Sequence, residues 1–327
     1  MNKIIAEIGS VHDGNLNIAL KLVKKASDCG ADIIKFQMHI SEHESLIDAP
    51  SPSYFNKEDR FTYFKRTSFN LKQWKKIKTY CEKLGKEFLC SPFSNEAVEL
   101  LEKINVKFYK VPSGELTNLP LLEKLKKTKK IILLSTGMSN FKEISNAVKI
   151  FNKNKIILLQ CSSIYPCPEK FVGLNILNEF KKKFRCKVGF SDHTLGSGAS
   201  YAAASLGAEV IEKHFTLSRK MYGSDAKNSM EPLEFKKFCS TIKEIWRIKN
   251  FKVDKDNLKK YKQMKFIFEK SIYAKKNLKK GKIIKLSDLA FKKPSKHLRA
   301  DKYKIILGKK LKSDLKKDDP INVQNIK

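Results

Sequence analysis

The run Lys187-Val188-Gly189-Phe190-Ser191-Asp192-His193 is followed, 21 residues after its histidine, by the end of a second run, Glu209-Val210-Ile211-Glu212-Lys213-His214. Each reads as a short strand that leads into an imidazole, and Gly198–Leu206 between them has the length and small apolar residues of a helix. Parallel strands need such a helical crossover, so the stretch predicts one βαβ unit. Working outward, the same alternation recurs. Strand-like runs fall near Ile4–Ile8, Ile33–Gln37, Glu87–Ser91, Lys107–Val111, Ile131–Leu134 and Ile156–Gln160, ahead of the final Lys187–Phe190 and Glu209–His214. Amphipathic stretches follow at Leu16–Cys29, Leu71–Leu84, Asn95–Ile104, Pro120–Lys127, Phe141–Phe151, Leu174–Lys183, Gly198–Leu206 and Pro232–Lys249. Eight units in about 250 residues predict an α/β TIM (β/α)8 barrel; an open doubly wound sheet is the alternative, because pattern does not show closure.

The expected division is a barrel over residues 1–250, a linker over 251–268 and a small domain over 269–327. The segment Ile40–Asn70 exceeds an ordinary connection and is expected to be a functional loop over the second strand. Lys252–Lys265 is highly charged and is expected to be a helical linker, and short strand signals with turn glycines Gly281 and Gly308 follow it.

Composition narrows the functions. With 41% hydrophobic residues the chain can bury a sizeable core. No run approaches the roughly 20 apolar residues of a membrane span, and the N-terminal run lacks a secretory pattern, so the expected location is cytoplasmic, without a membrane partner. Seven scattered cysteines without a Cys-x-x-Cys pair argue against a disulfide framework or structural zinc. The net charge of +33 raises nucleic acid as a partner. Yet only six of the 67 basic residues are arginine and the excess is spread along the chain, so no specific nucleic-acid partner is expected.

In such barrels the chemistry gathers at the C-terminal strand ends. Here those ends lead to Glu7 and His12, Lys35 and Gln37, Ser91, Ser113-Gly114-Glu115, Ser135, Ser162-Ser163, Ser191-Asp192-His193 and His214. Lys35 and Gln37 are two apart, so they share one strand face. A lysine on the barrel interior must be paired or hold an anion. With Lys110 and the serines, Lys35 suits a phosphate dianion; solvation is the alternative for Lys110. His193 and His214 leave neighbouring strands and read as a divalent-metal or catalytic pair. Glu7 and Glu115 are expected as inward carboxylates in the same basin, paired with the lysines or active in proton transfer. Asp192 is a candidate partner for His193, and Asp225 could reach metal or substrate. His39, His43 and His297 receive no role. Cys90 and Cys161, at strand ends, are expected to pack rather than line a site.

These segments resemble the sialic acid synthase family over nearly the whole chain. The carrying motifs are Ala6-Glu7-Ile8-Gly9, Lys35-Phe36-Gln37, Ser91-Pro92-Phe93-Ser94, Lys110-Val111-Pro112-Ser113-Gly114-Glu115, Ser135-Thr136-Gly137-Met138, Tyr165-Pro166, Gly189-Phe190-Ser191-Asp192-His193-Thr194 and Glu212-Lys213-His214-Phe215-Thr216. The last 60 or so residues are similar to that family's antifreeze-protein-like (SAF) domain. The resemblance implies condensation of phosphoenolpyruvate with an N-acyl mannosamine or related hexosamine and water, releasing phosphate and a nonulosonic acid. It implies a divalent metal, Mn2+, on His193 and His214. It implies a phosphoenolpyruvate site of Lys35, Gln37, Ser91, Lys110, Ser113, Ser135 and Ser191, and catalytic Glu7, Glu115 and Tyr165. The sugar is expected at Asp225 and, from the small domain, at Lys293; a swapped homodimer is implied.

Three departures bear on the sugar. Val11 precedes His12 where the family commonly has asparagine, which predicts one polar group fewer near the site. Lys293 stands where an arginine commonly reads the N-acyl group, and lysine lacks that planar fork. Gly223-Ser224-Asp225 replaces Gly-Pro-Asp. A diacetamido sugar giving a legionaminate-like product, an aldose phosphate acceptor, and a catalytically silent basic barrel are the alternatives.

Overall fold

The computed structural model describes residues 2–51 and 58–327. Eight parallel strands close into a barrel: β1 (Lys3–Gly9), β2 (Ile33–Met38), β3 (Glu87–Pro92), β4 (Phe108–Val111), β5 (Ile131–Ser135), β6 (Ile156–Gln160), β7 (Lys187–Asp192) and β8 (Val210–His214). Closure is made where β1 pairs with β8, setting Glu7 beside His214, which excludes the open sheet.

The helices form where apolar residues recur at helical spacing and a side chain caps the start. In α1 (Leu16–Asp28), Ala19, Leu22, Val23 and Ala26 are buried, and Asn15 accepts from the backbone N–H groups of Asn17 and Ile18. Inside the segment expected as a loop lie two helices, α2 (Ser41–Glu44) and α3 (Arg60–Thr67); part of it, 52–57, is outside the described residues. The outer layer continues with α4 (Leu71–Lys83), α5 (Asn95–Lys103), α6 (Leu119–Lys127), α7 (Phe141–Ile150), α8 (Asn175–Phe184), α9 (Gly198–Ser205) and α10 (Pro232–Asn250). Reciprocal Asn–Gln and Asn–Glu capping boxes start α4 and α7.

Strand alternation sorts the core into two. Outward residues such as Ile4, Ile34, Tyr109, Leu134 and Phe190 pack under the helices. Inward residues at the lower, N-terminal end form a separate plug of Ile5, Ile33, Leu89, Phe108, Leu133, Ile157, Leu159 and Val210. That plug closes the bottom of the barrel, leaving the upper inward positions for the site.

The chain separates into two compact units, Met1–Phe251 and Lys252–Lys327. The second has its own core, including Ile272, Ile284, Ile306, Leu311 and Ile321, and pairs β9 (Ser271–Ala274) antiparallel with β10 (Leu289–Lys292). The expected helical linker is only partly helical: Lys252–Leu258 is irregular, and α11 spans Lys262–Phe268. Five lysines and two aspartates between 252 and 262 leave no apolar face to bury, so packing adds nothing to propensity there.

Candidate active site

Continuing up the same inward faces, the apolar plug gives way to Glu7, Lys35, Lys110, Ser135, Ser191, Glu212 and His214, which line a cavity of about 470 Å³. Four of these form a buried ion cluster. Lys35 Nζ is 2.7 Å from Glu7 Oε1 and 3.5 Å from Glu212 Oε1, and Lys110 Nζ is 3.0 Å from Glu212 Oε2. Burial opposes the charge on Lys35, yet Glu212 and Glu7 outweigh it and hold its ammonium above the ordinary value. Burial likewise opposes ionisation of Glu212, and Lys110 and Lys35 overturn that, so its carboxyl sits below the usual range. The solvated alternative for Lys110 is therefore wrong: it is 3% exposed.

Gln37 donates from Nε2 to Glu7 Oε1 at 2.7 Å. Glu7 Oε2 and the hydroxyls of Ser91 and Ser135 are buried without a hydrogen-bond partner among the described residues, a state that disfavours the empty site. Ser113 Oγ accepts from the Gly137 N–H at 3.2 Å and lies 3.0 Å from Cys161 Sγ, so Cys161 does line the cavity, against expectation. A Cβ on Gly137 would come within 2.7 Å of Ser113 Oγ and 2.8 Å of Cys161 Sγ, so only glycine leaves this hydroxyl cradle open. Across the mouth, Gly9 turns at φ +54°, and Asp225 packs where a Cβ would stand.

The rings of His193 and His214 lie 5.7 Å apart, as the strand-end spacing predicts. His193 Nδ1 donates to the Ser162 carbonyl at 2.7 Å, which leaves the Nε2 lone pair facing Tyr165 Oη at 3.3 Å. Burial, helped by His214, lowers His193 to about 3, so the ring is neutral. His214 Nδ1 is buried with no hydrogen-bond partner among the described residues. Two neighbouring imidazoles, one oriented through its other nitrogen by a carbonyl, suit a borderline divalent metal. No group of three His, Cys, Asp or Glu side chains among the described residues converges as a full cage. The residues thus fit a metal held by two imidazoles, with water or substrate completing its shell.

Several of the expected residues stand outside the cavity wall or face elsewhere. Ser91 is fully buried beside Gln37 in the sheet but is not in the cavity wall. Glu115 is also outside the wall; it follows β4 in a short 3-10 turn, accepts from Asn118 Nδ2 at 2.7 Å, and burial raises its carboxyl. Asp192 is no partner of His193: it points to the outer face, pairing with Lys213 at 3.0 Å and accepting from Ser200. His12 also faces outward, its ring 4.5 Å from that of Phe69, and Val11 is buried in the outer core, so neither is in the basin and the Val11 departure removes nothing from it. Lys293 belongs to the second unit, with Nζ 4.9 Å from the Phe268 ring centroid.

Sequence reasoning missed Glu212, Arg60 and His39, all in the wall. For Glu212 a signal existed, since it shares strand parity with His214. His39 sits at the equivalent parity after Gln37, and although the sequence reading gave it no role it contacts Glu44 and Gln37. Arg60 had none, because a helix embedded in a long connection has no fixed place relative to the strands. Counting full charges, the wall carries Lys35, Lys110 and Arg60 against Glu7, Glu212 and Asp225, and a charge on His39 is offset by Glu44, 2.7 Å from its Nδ1. The basin is balanced in a chain of net charge +33.

A closed parallel barrel with paired lysines, serine hydroxyls and two neighbouring imidazoles at the C-terminal strand ends has the layout of a barrel enzyme acting on an anion. Comparison with known proteins then places it: the chain belongs to the NeuB family, which matches residues 22–254, and a SAF domain matches residues 269–326. It is 39% identical to the N,N'-diacetyllegionaminic acid synthase of Campylobacter jejuni over 97% of this chain and 98% of that one. It is 32% identical to human N-acetylneuraminate-9-phosphate synthase, over 97% of this chain and 90% of the other. The crystal structure of an N-acetylneuraminic acid synthetase from Leptospira borgpetersenii, in complex with citrate, matches with a TM-score of 0.71 and 32% identity, covering 80% of this chain and 90% of that chain. No helix among the described residues is long and apolar enough to cross a membrane.

Proposed function

We propose that the protein condenses phosphoenolpyruvate with the open-chain aldehyde of an N-acyl hexosamine and water, giving a nonulosonic acid and inorganic phosphate. The observation that carries this reading is the buried Lys35–Glu7 and Lys110–Glu212 cluster beside the unpartnered Ser135 hydroxyl at the barrel mouth. Lys35 and Lys110 hold the phosphate and carboxylate as fixed charges, and the Ser113, Ser135 and Ser191 hydroxyls supply neutral donors. Glu7, through its open Oε2, and Tyr165 orient the aldehyde, with Glu115 nearby at the rim. Asp225 binds the sugar hydroxyls.

His193 and His214 are the residues that would hold a divalent ion, manganese being the proposed one, and when bound it polarises the aldehyde as a Lewis acid. The balanced wall supports this. An anionic substrate entering a basin of zero formal charge leaves it negative unless a cation enters too. Carbon 3 of phosphoenolpyruvate forms the bond to C1 of the sugar, water adds at C2, and phosphate leaves as the C2–O bond breaks. The wall therefore binds phosphate without a nucleophile aimed at phosphorus. With phosphoenolpyruvate carrying 18O in the bridging position, the label is expected in inorganic phosphate; its retention in the sugar product contradicts the mechanism.

A diacetamido hexose yielding a legionaminate-type product is the second reading for the acceptor. It is favoured by the 39% identity to the Campylobacter synthase, against 32% to the human N-acetylneuraminate-9-phosphate synthase and to the Leptospira synthetase. Lys293, in place of the family's arginine, is proposed to meet the sugar in the barrel of a second copy within a swapped homodimer, and the location proposed for the enzyme is cytoplasmic.

A further inference from the structure

We infer that His39 is a positioning residue that carries a proton on both ring nitrogens and, through the Gln37 amide, fixes Glu7 in the barrel mouth. Glu7 Oε1 already takes Lys35 Nζ at 2.7 Å, so it is a carboxylate and must receive the amide nitrogen of Gln37, at 2.7 Å. That orientation turns Gln37 Oε1 toward His39 Nε2 at 3.0 Å, and an oxygen facing a ring nitrogen requires an N–H there. His39 Nδ1 lies 2.7 Å from Glu44 Oε1, and Glu44 Oε2 also accepts the Ile40 N–H at 3.2 Å, so Nδ1 donates as well. Two donating nitrogens make an imidazolium.

Its surroundings suit a cation. The ring is stacked between Phe64, with centroids 3.6 Å apart, and Phe93, at 4.0 Å, so both of its faces meet π-systems. It is 7% exposed, and Glu44 supplies the opposite charge that a buried cation needs. Its charge also reaches Glu115, whose carboxyl it favours ionising, and His12, which it disfavours charging. Flipping the Gln37 amide would set its carbonyl against the Glu7 carboxylate and its NH2 against a ring N–H. The relay Glu44–His39–Gln37–Glu7 therefore allows one orientation, in which Glu7 Oε1 is saturated and Oε2 is left without a hydrogen-bond partner among the described residues.

This rests on the proposed reaction for its kinetic arm but not for its spectroscopic one. In full-length protein labelled with 15N-histidine, both His39 ring nitrogens are expected to carry hydrogen at pH 7.5 without substrate, and the Gln37 side-chain amide to give a fixed pair of signals that averages in His39→Phe. A neutral His39 tautomer, or an unchanged Gln37 amide in that variant, overturns the proposal even if no acceptor supports turnover, an outcome that would defeat only the reaction. With turnover, His39→Phe keeps the stack and is expected to lower kcat about tenfold, the loss of one buried charge-assisted hydrogen bond, with little change in KM for phosphoenolpyruvate. His39→Gln, which keeps a donor toward Gln37, is expected to recover part of the rate. If the residue acts through Gln37, Gln37→Ala with His39→Phe is no slower than Gln37→Ala alone. Multiplying losses in the double variant, or wild-type kcat in His39→Phe, would refute it.

Discussion

Two layers of one barrel, built from the same inward strand positions, do opposite things. In the lower layer Ile5, Ile33, Leu89, Phe108, Leu133 and Val210 fill the bore and exclude water. Two residues further along these six strands stand Glu7, Lys35, Ser91, Lys110, Ser135 and Glu212. The upper layer gives up hydrophobic burial and keeps its charges in place only by pairing them. Stability is thus concentrated below and chemistry above, and the boundary is one strand step deep.

The comparison breaks most completely at the imidazoles. His193→Ala or His214→Ala is expected to reduce turnover to background while the melting temperature stays near that of the wild type, measured by phosphate release and calorimetry; full activity in either variant removes the pair from the mechanism. Lys35→Met should fail on both counts. It leaves Glu7 buried without its cation, a loss of about 3–5 kcal/mol in denaturant unfolding, and it should weaken binding of phosphoenolpyruvate in calorimetric titration. One layer down, Leu133→Ala is expected to cost about 2–5 kcal/mol through the cavity it leaves, while kcat of the folded fraction is unchanged. A Leu133 variant with native stability and lost turnover would invert the two layers.

The smallest effect concerns Glu115. Burial raises its folded-state value above the ordinary 4.5, so its ionisation opposes folding. That cost is absent below about 4.5 and fully present once pH exceeds the raised value. Glu115→Gln keeps an acceptor for Asn118 and should be slightly more stable than wild type near neutral pH, with the gain vanishing in acid; a gain that persists in acid contradicts the assignment.

The strands were readable because β-branched runs and helical periods are local signals, and most predicted strand ends fall within one or two residues of those observed. Lys35, Lys110, His193 and His214 were readable because strand-end position and parity place a side chain in the barrel mouth. Asp192 and His12 misled because each sits beside an inward residue, and the alternation that carries His193 inward carries Asp192 out. Glu115 lies beyond its strand, where parity no longer applies and a 3-10 turn decides direction. Arg60, Phe64 and His39 meet at the mouth only because the long connection after β2 folds back as helices, a tertiary result with no periodic trace. The Lys252–Leu258 stretch reads as helix by propensity but lacks the apolar face that would hold one.

Phosphate release from phosphoenolpyruvate, measured with manganese and a panel of N-acyl and diacetamido hexosamines, tests the central claim most directly. The predicted result is release that requires one sugar of the panel, stops with a chelator, and disappears in His214→Ala. Release that is indifferent to sugar and metal, or none with any sugar from the folded protein, would contradict the reading of the upper layer as a nonulosonic acid synthase site.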